Sequence, residues 1–424
     1  MKKSIQDFGV GYEEVTLVDG VKLHSFYKQN SPIYFRAYFY AGSQFDDDKS
    51  GLAHFCEHMI VGGTEKYPTK TILNEKIQEI GARSNAFTNK QNLWISIDLA
   101  DKSDMLDMFE KVDQILNHSI FSQDIIEKER GAILAEQTRN TSNPAQYINV
   151  LQGSVLFQGT KIENPVLGFD ESVKKINRED LVEYREKYIT NGYVAYFIAG
   201  DFDINLVVDS LNKINGLRKP IKLDGVELPI INTKKQVIKN IINPEQNYLS
   251  LSTRLKSSVD KLDRVVGSLV SAILGQGNTS RLNKSLRYDK GLVYGVQANI
   301  FDYSEFSSLI ISTSCKVRDS IDVIKVINDE LRNLIDNGIN KEEMEISKKN
   351  IIRNIKFESE ISSFWVSPQM MKELTDQQDF ILPDEYLEIL KSLSVEDVNM
   401  FIKKYFEGKE LLFAGIGDFE FLVN

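Results

Sequence analysis

Two of the chain's four histidines stand four residues apart, in His54-Phe55-Cys56-Glu57-His58. On a helix, positions i and i+4 share a face, so both imidazoles can address one ion. Glu57 falls three residues after His54 and immediately before His58, near the same site without having to be a ligand. This is the H-x-x-E-H order, in which zinc takes the two imidazoles and the glutamate acts as general base on metal-bound water. The flanks Gly51-Leu52-Ala53 and Met59-Ile60-Val61 are apolar, and Gly62-Gly63-Thr64 gives a helix stop. Polar side chains in such a helix are costly unless satisfied, and a metal would satisfy them. The bland alternative is two surface histidines beside a solvated glutamate.

Zinc asks for a third protein ligand, with a fourth position left to water. Apolar residues at Ile125, Ile126, Ala132, Ile133 and Leu134 predict a helix in which Glu129 and Glu136, seven apart, share a face. One carboxylate of such a pair can bind the metal while the other holds a ligating histidine from behind. A charged outer helix face is the competing reading of the same run.

These residues need a frame, and an internal repeat supplies it. Glu179-Asp180-Leu181 through Tyr188 to Gly200-Asp201-Phe202-Asp203 parallels Glu396-Asp397-Val398 through Tyr405 to Gly417-Asp418-Phe419-Glu420, at a constant offset of 217 (418 − 201). Each copy opens on a capping-box pattern, Asn177-x-x-Asp180 or Ser394-x-x-Asp397, then a helix and an apolar strand. The fold expected is α+β: two homologous α/β sandwich domains, residues 1–217 and 236–424, related by duplication and joined by a linker over 218–235, where Pro220, Gly225 and Pro229 interrupt the periodicity. Ser84-Asn85-Ala86-Phe87-Thr88 runs into Leu93–Leu99, whose alternation fits a strand. In the second copy the counterpart of the metal helix, roughly 265–277, holds no His or Glu. Its Gly275-Gln276-Gly277-Asn278 is not a phosphate loop, because no Lys-Ser/Thr follows at the needed spacing. Residues 321–335 and 342–355 read as long helices.

Gly51 to Pro68 (GLAHFCEHMIVGGTEKYP) resembles the signature of the pitrilysin or insulinase family of inverted zincins, in its half-length branch similar to mitochondrial processing peptidase. The resemblance implies antiparallel-rich sheets packed with helices, a peptidase activity and one Zn²⁺ per chain. Glu136, 78 residues after His58 (136 − 58), takes the place of the family's third zinc ligand, and Glu129 that of the carboxylate behind a ligating histidine. Ser84 to Thr88 resembles the active-site edge strand, so Asn85, Ala86 and Phe87 would bind substrate, Asn85 reaching the reacting carbonyl. Arg287 and Tyr294 match an Arg and a Tyr that bind substrate and steady the oxyanion. A half-length member builds its clamshell chamber from two chains. Possession of both residue sets favours a homodimer in which each site uses Arg287 and Tyr294 of the other chain; a heterodimer with a related subunit stays open.

Composition bounds the rest. A net charge of −10 over 424 residues argues against nucleic acid as partner. No stretch approaches a membrane span, and no apolar run follows the basic start to suggest a secretory signal. Two cysteines, Cys56 and Cys315, make no disulfide framework, so the expected compartment is a reducing cytoplasm. Cys56 points away from the histidine face as a packed thiol, with sensitivity to thiol reagents a possible consequence. His24 and His118 read as surface or partly buried histidines without metal partners. The function expected is a zinc endopeptidase acting on peptides or unfolded segments. A dedicated leader-processing protease shares every residue named here, and a non-catalytic scaffold subunit is the alternative from another class.

Overall fold

Alternation sets the first sheet. Ile33, Phe35, Ala37 and Phe39 of one strand and Leu93, Ile95, Ile97 and Leu99 of its neighbour are all buried on one side. A computed structural model gives the architecture and describes residues 2–215, 235–256, 260–303, 306–375 and 381–420. The expected linker, 218–235, lies outside the described residues apart from Lys235.

The strands are β1 (Lys2–Ile5), β2 (Val10–Thr16), β3 (Lys22–Tyr27), β4 (Ile33–Phe39), β5 (Ala82–Thr88), β6 (Leu93–Leu99), β7 (Val194–Gly200), β8 (Gln236–Asn240), β9 (Asn247–Lys256), β10 (Val293–Asp302), β11 (Phe306–Cys315) and β12 (Leu412–Gly417). They form a seven-stranded sheet, β1-β2-β3-β7-β4-β6-β5, and a five-stranded one, β10-β11-β9-β12-β8. With β1 and β2 set aside, the orders β3-β7-β4-β6-β5 and β8-β12-β9-β11-β10 correspond strand for strand. In each, the first pair is parallel and the other three are antiparallel. Both capping boxes close, at Asn177/Asp180 and at Ser394/Asp397. The two halves are therefore copies of one α/β sandwich.

The chain folds as two compact units: residues 2–139, 164–215 and 357–375 make the first, and 140–163, 235–356 and 381–420 the second. In the first, α1 (Leu52–Ile60), α2 (Lys70–Glu79) and α3 (Met105–Asn117) cover one sheet face, burying Phe55, Met59, Leu73, Ile77, Phe109 and Val112 with the strand residues above. The opposite face of β3 and β7 is closed by the turn Ser362–Val366. Trp365 is fully buried there, its ring 5.7 Å from both Phe8 and Phe26, and Nε1 donates to the Ser359 carbonyl at 3.1 Å. In the second unit, helix Pro144–Leu156 brings Ile148 against Ala414 and Ile416. Helix Lys261–Gly275 stands where α1 stands in the first copy.

Cys56 is the packed thiol expected, without the sensitivity to thiol reagents, and one histidine differs from its expectation. Cys56 is completely buried with its Sγ 3.9 Å from the Leu181 carbonyl, and burial drives its thiol pKa far up, so the folded protein offers no reactive thiolate. His24 is buried, not superficial. It accepts or donates at Nδ1 to the Tyr12 hydroxyl at 3.0 Å and stacks on Phe197. Among the described residues no helix is long and apolar enough to cross a membrane.

Candidate metal centre

The helix carrying the histidines is fixed at its start. Gly51, left-handed at φ 96°, turns the chain into α1, and the Asp46 carboxylate accepts from Gly51 N at 2.7 Å and Ala53 N at 2.8 Å. Burial pushes the Asp46 carboxyl up to about 7, against the pull of these backbone donors. Phe55, Cys56, Met59 and Ile60 root α1 in the core, which leaves His54, Glu57 and His58 on its remaining side. The two imidazole centroids are 4.7 Å apart, and ligand atoms of His54, Glu57 and His58 all lie within 4.8 Å of one another.

Glu129 and Glu136 both project from α4 (Gln123–Ser142), two turns apart. Glu136 Oε2 lies 3.8 Å from His54 Nε2 and 3.7 Å from His58 Nε2. Glu129, almost fully buried, accepts from His58 Nδ1 at 2.8 Å and from Lys70 Nζ at 3.3 Å. The titration of these groups follows from their partners. Burial lowers His54 to about 4, with His58 adding to the effect. Burial also opposes a charge on His58, but Glu129 and Glu136 outweigh it and raise that imidazole to about 9. Burial raises the Glu57 carboxyl, opposed by a hydrogen bond from Thr88.

This donor set fits a zinc ion. Two atoms bound tetrahedrally at zinc–nitrogen or zinc–oxygen distances stand about 3.3 Å apart, close to the spacing of Glu136 Oε2 from each Nε2 and too wide for a good hydrogen bond. His54 is buried with Nδ1 lacking any hydrogen-bond partner and Nε2 only facing Glu136. That uncompensated imidazole is costly in a metal-free pocket and relieved by an ion at Nε2. His58 has the usual outer partner of a ligating histidine, Glu129 at Nδ1, so that once the imidazole gives up its second proton the lone pair stands at Nε2.

Asn85, Ala86 and Phe87 lie on β5, which ends the sheet with one edge unpaired among the described residues. The period of two puts Ala86 and Thr88 on the α1 side and Asn85 and Phe87 on the other, where the Phe87 ring stacks on Trp94 at 5.5 Å. Arg287 and Tyr294 belong to the second unit and meet each other: the guanidinium lies 4.9 Å from the Tyr294 ring, which is 87% exposed. Two contacts at the centre go beyond the sequence reading, in which Thr88 only ends the edge strand and Lys70 is not singled out. Thr88 Oγ1 donates to Glu57 Oε2 at 2.6 Å, and Lys70 sits against Glu129. Strand periodicity could have found Thr88 on the α1 side; nothing in the local pattern marks Lys70.

Residues 28–170 match the insulinase family, peptidase family M16, and residues 175–351 match the family's inactive domain. The chain is 25% identical over 358 residues to the uncharacterized zinc protease YmxG of Bacillus subtilis, spanning 84% of this chain and 86% of the relative. It is 28% identical over 204 residues to the mitochondrial-processing peptidase subunit beta of Dictyostelium discoideum (46% and 43% covered). To a protein of Helicobacter pylori named a non-peptidase homolog of YmxG it is 22% identical over 383 residues (88% and 86%). Its fold is similar to a peptidase M16 inactive domain structure from Pseudomonas fluorescens, with TM-score 0.87, 19% identity, and 96% and 98% of the chains covered. Both halves of the duplication thus find their counterparts in one family, and the chain belongs to the M16 (insulinase) peptidases.

Proposed function

We propose that this chain is a zinc endopeptidase that cleaves extended peptides or unfolded segments. The observation that carries the reading is the convergence of His54 Nε2, His58 Nε2 and Glu136 Oε2 on one point, with the Glu57 carboxylate beside them. His54, His58 and Glu136 would hold the zinc, which would supply Lewis acidity at the reacting centre. Glu57 takes the proton of the attacking water and passes it to the leaving amine. Glu129 keeps the His58 ring in the tautomer and orientation that present Nε2. The free edge of β5 pairs with the substrate backbone, which favours chains that can be drawn out as a strand. Ala86 lines this edge on the α1 side, while Asn85 and Phe87, on the strand's other face, offer a polar and an apolar contact to substrate side chains that point that way. Arg287 and Tyr294 bind substrate and donate to the oxyanion from a second chain, so the active species is a dimer, with a heterodimer as the variant. The two buried free thiols suit a reducing cytoplasm.

The relative named a non-peptidase homolog gives weight to a scaffold reading. Against it stands the complete set His54, Glu57, His58 and Glu136, which a scaffold has no use for. The test is cleavage of a mixture of unstructured peptides by the zinc-loaded chain, read by mass spectrometry beside Glu57→Gln. Cleavage abolished in the variant supports the peptidase; a wild type as inert as the variant, on its own and with a related subunit, sinks it.

A further inference from the structure

The geometry points to a positioning role for Thr88, whose hydroxyl holds the Glu57 carboxylate back from the metal so that it remains a base. This rests on the reading of Glu57 as that base. Glu57 stands on the same helix face as two ligands, and its carboxylate lies within 4.8 Å of both imidazole donors. Nothing in the backbone prevents a flexible glutamate there from swinging onto a cation. A carboxylate is a good zinc ligand, and one more ligand would fill the position that water needs. One restraint opposes this: Thr88 Oγ1, donating to Oε2 at 2.6 Å, with both side chains more than nine-tenths buried. A hydrogen bond to a charged acceptor in such a setting is short and strong.

The restraint is well founded mechanically. Thr88 closes β5 and sits in register opposite Leu93, so its Cα is set by the sheet rather than by a loop. A threonine is stiff at χ1, and its hydroxyl stays where the backbone aims it. The base hangs from α1 while its tether hangs from the strand whose free edge would receive the peptide, so base and substrate share one reference.

Thr88→Val keeps the shape and removes the donor. The expected result is a kcat about 10–100-fold below wild type with KM nearly unchanged, because a hydrogen bond to a charged group is lost at the reacting centre only. Zinc binding, measured by chelator competition, should tighten by about three- to tenfold as Glu57 joins the ligands. Thr88→Ser should return both quantities toward wild type. In a Glu57→Gln background Thr88→Val should leave zinc affinity unchanged. Cobalt-substituted Thr88→Val should also show the absorption change of an added carboxylate ligand. Wild-type kcat in Thr88→Val overturns the inference. So does weaker zinc binding with a lowered Tm that Thr88→Ser fails to restore, which marks a folding defect. The metal titration needs no activity, so it judges Thr88 even if the peptidase reading falls; loss of that reading shows instead as wild type and Glu57→Gln behaving alike.

Discussion

Removing Glu129 should weaken zinc binding without removing a ligand. Its carboxylate is 4% exposed and accepts from His58 Nδ1 at 2.8 Å. Hydrogen bonds to charged groups contribute about 1.5–3 kcal/mol, and in Glu129→Ala the buried Nδ1–H is left with no acceptor. Without that acceptor the neutral imidazole also loses its preference for the tautomer with a bare Nε2. At about 1.4 kcal/mol per decade, the zinc Kd should rise about 10–100-fold. Glu129→Gln keeps a neutral acceptor and should lose roughly half of that free energy, about three- to tenfold in Kd. Lys70 is 38% exposed, so its link to Glu129 is screened, and Lys70→Met should change Kd by less than about threefold. Competition with a chromogenic chelator at fixed pH reads all three variants against Glu136→Ala. A Kd for Glu129→Ala within twofold of wild type would refute the orienting role. A loss as large as that of Glu136→Ala would mean that the two carboxylates have been assigned the wrong way round.

Zinc binding should release about one proton at pH 7, because His58 at about 9 is charged in the metal-free protein while His54 at about 4 is already neutral. Calorimetry in buffers of different ionisation enthalpy measures it, and affinity should rise with pH up to about 9. Acid should destabilise the first unit through His24: its folded pKa, about 4, lies below the unfolded 6.5, so stability is lost as pH falls through that window. The loss amounts to about 3 kcal/mol, and urea unfolding of wild type against His24→Gln at pH 7 and pH 4 should differ by it; parallel curves would refute the assignment. Glu57→Gln and the double variant Arg287→Ala/Tyr294→Phe should each be inactive alone. Mixed with subunit exchange they should recover about a quarter of wild-type activity if each site is shared between two identical chains. No recovery, with exchange verified, removes the homodimer.

The sequence made the metal helix legible because ligation imposes spacing: His54 and His58 have to be one turn apart, and Glu129 and Glu136 two turns. The duplication was legible because capping boxes and the Gly-Asp-Phe strand ends are local chemistry repeated at one offset. Thr88, Lys70 and Asp46 were hidden for the opposite reason. Each acts on the centre from outside the metal helix: strand periodicity could have put Thr88 on the α1 side but not against Glu57, and nothing local marks what Lys70 or Asp46 will meet. Cys56 was legible as a packed thiol from its place on the helix face opposite the histidines; the depth of its burial, which removes the expected sensitivity to thiol reagents, depends on neighbours that only the fold brings together.

The turn that closes the first sheet sets a schedule for synthesis. Trp365, which seals Phe8 and Phe26, is made 150 residues after the last described residue of the preceding stretch of that unit (365 − 215). At ordinary elongation rates that is about 10–30 s during which the face of β3 and β7 has emerged without its cover. An aromatic surface left open that long is a target for holding chaperones and for aggregation. A nascent chain stalled before residue 357, or a fragment ending near 217, should therefore be sticky rather than half-functional, and the folding of the metal-bearing unit waits on synthesis past Trp365.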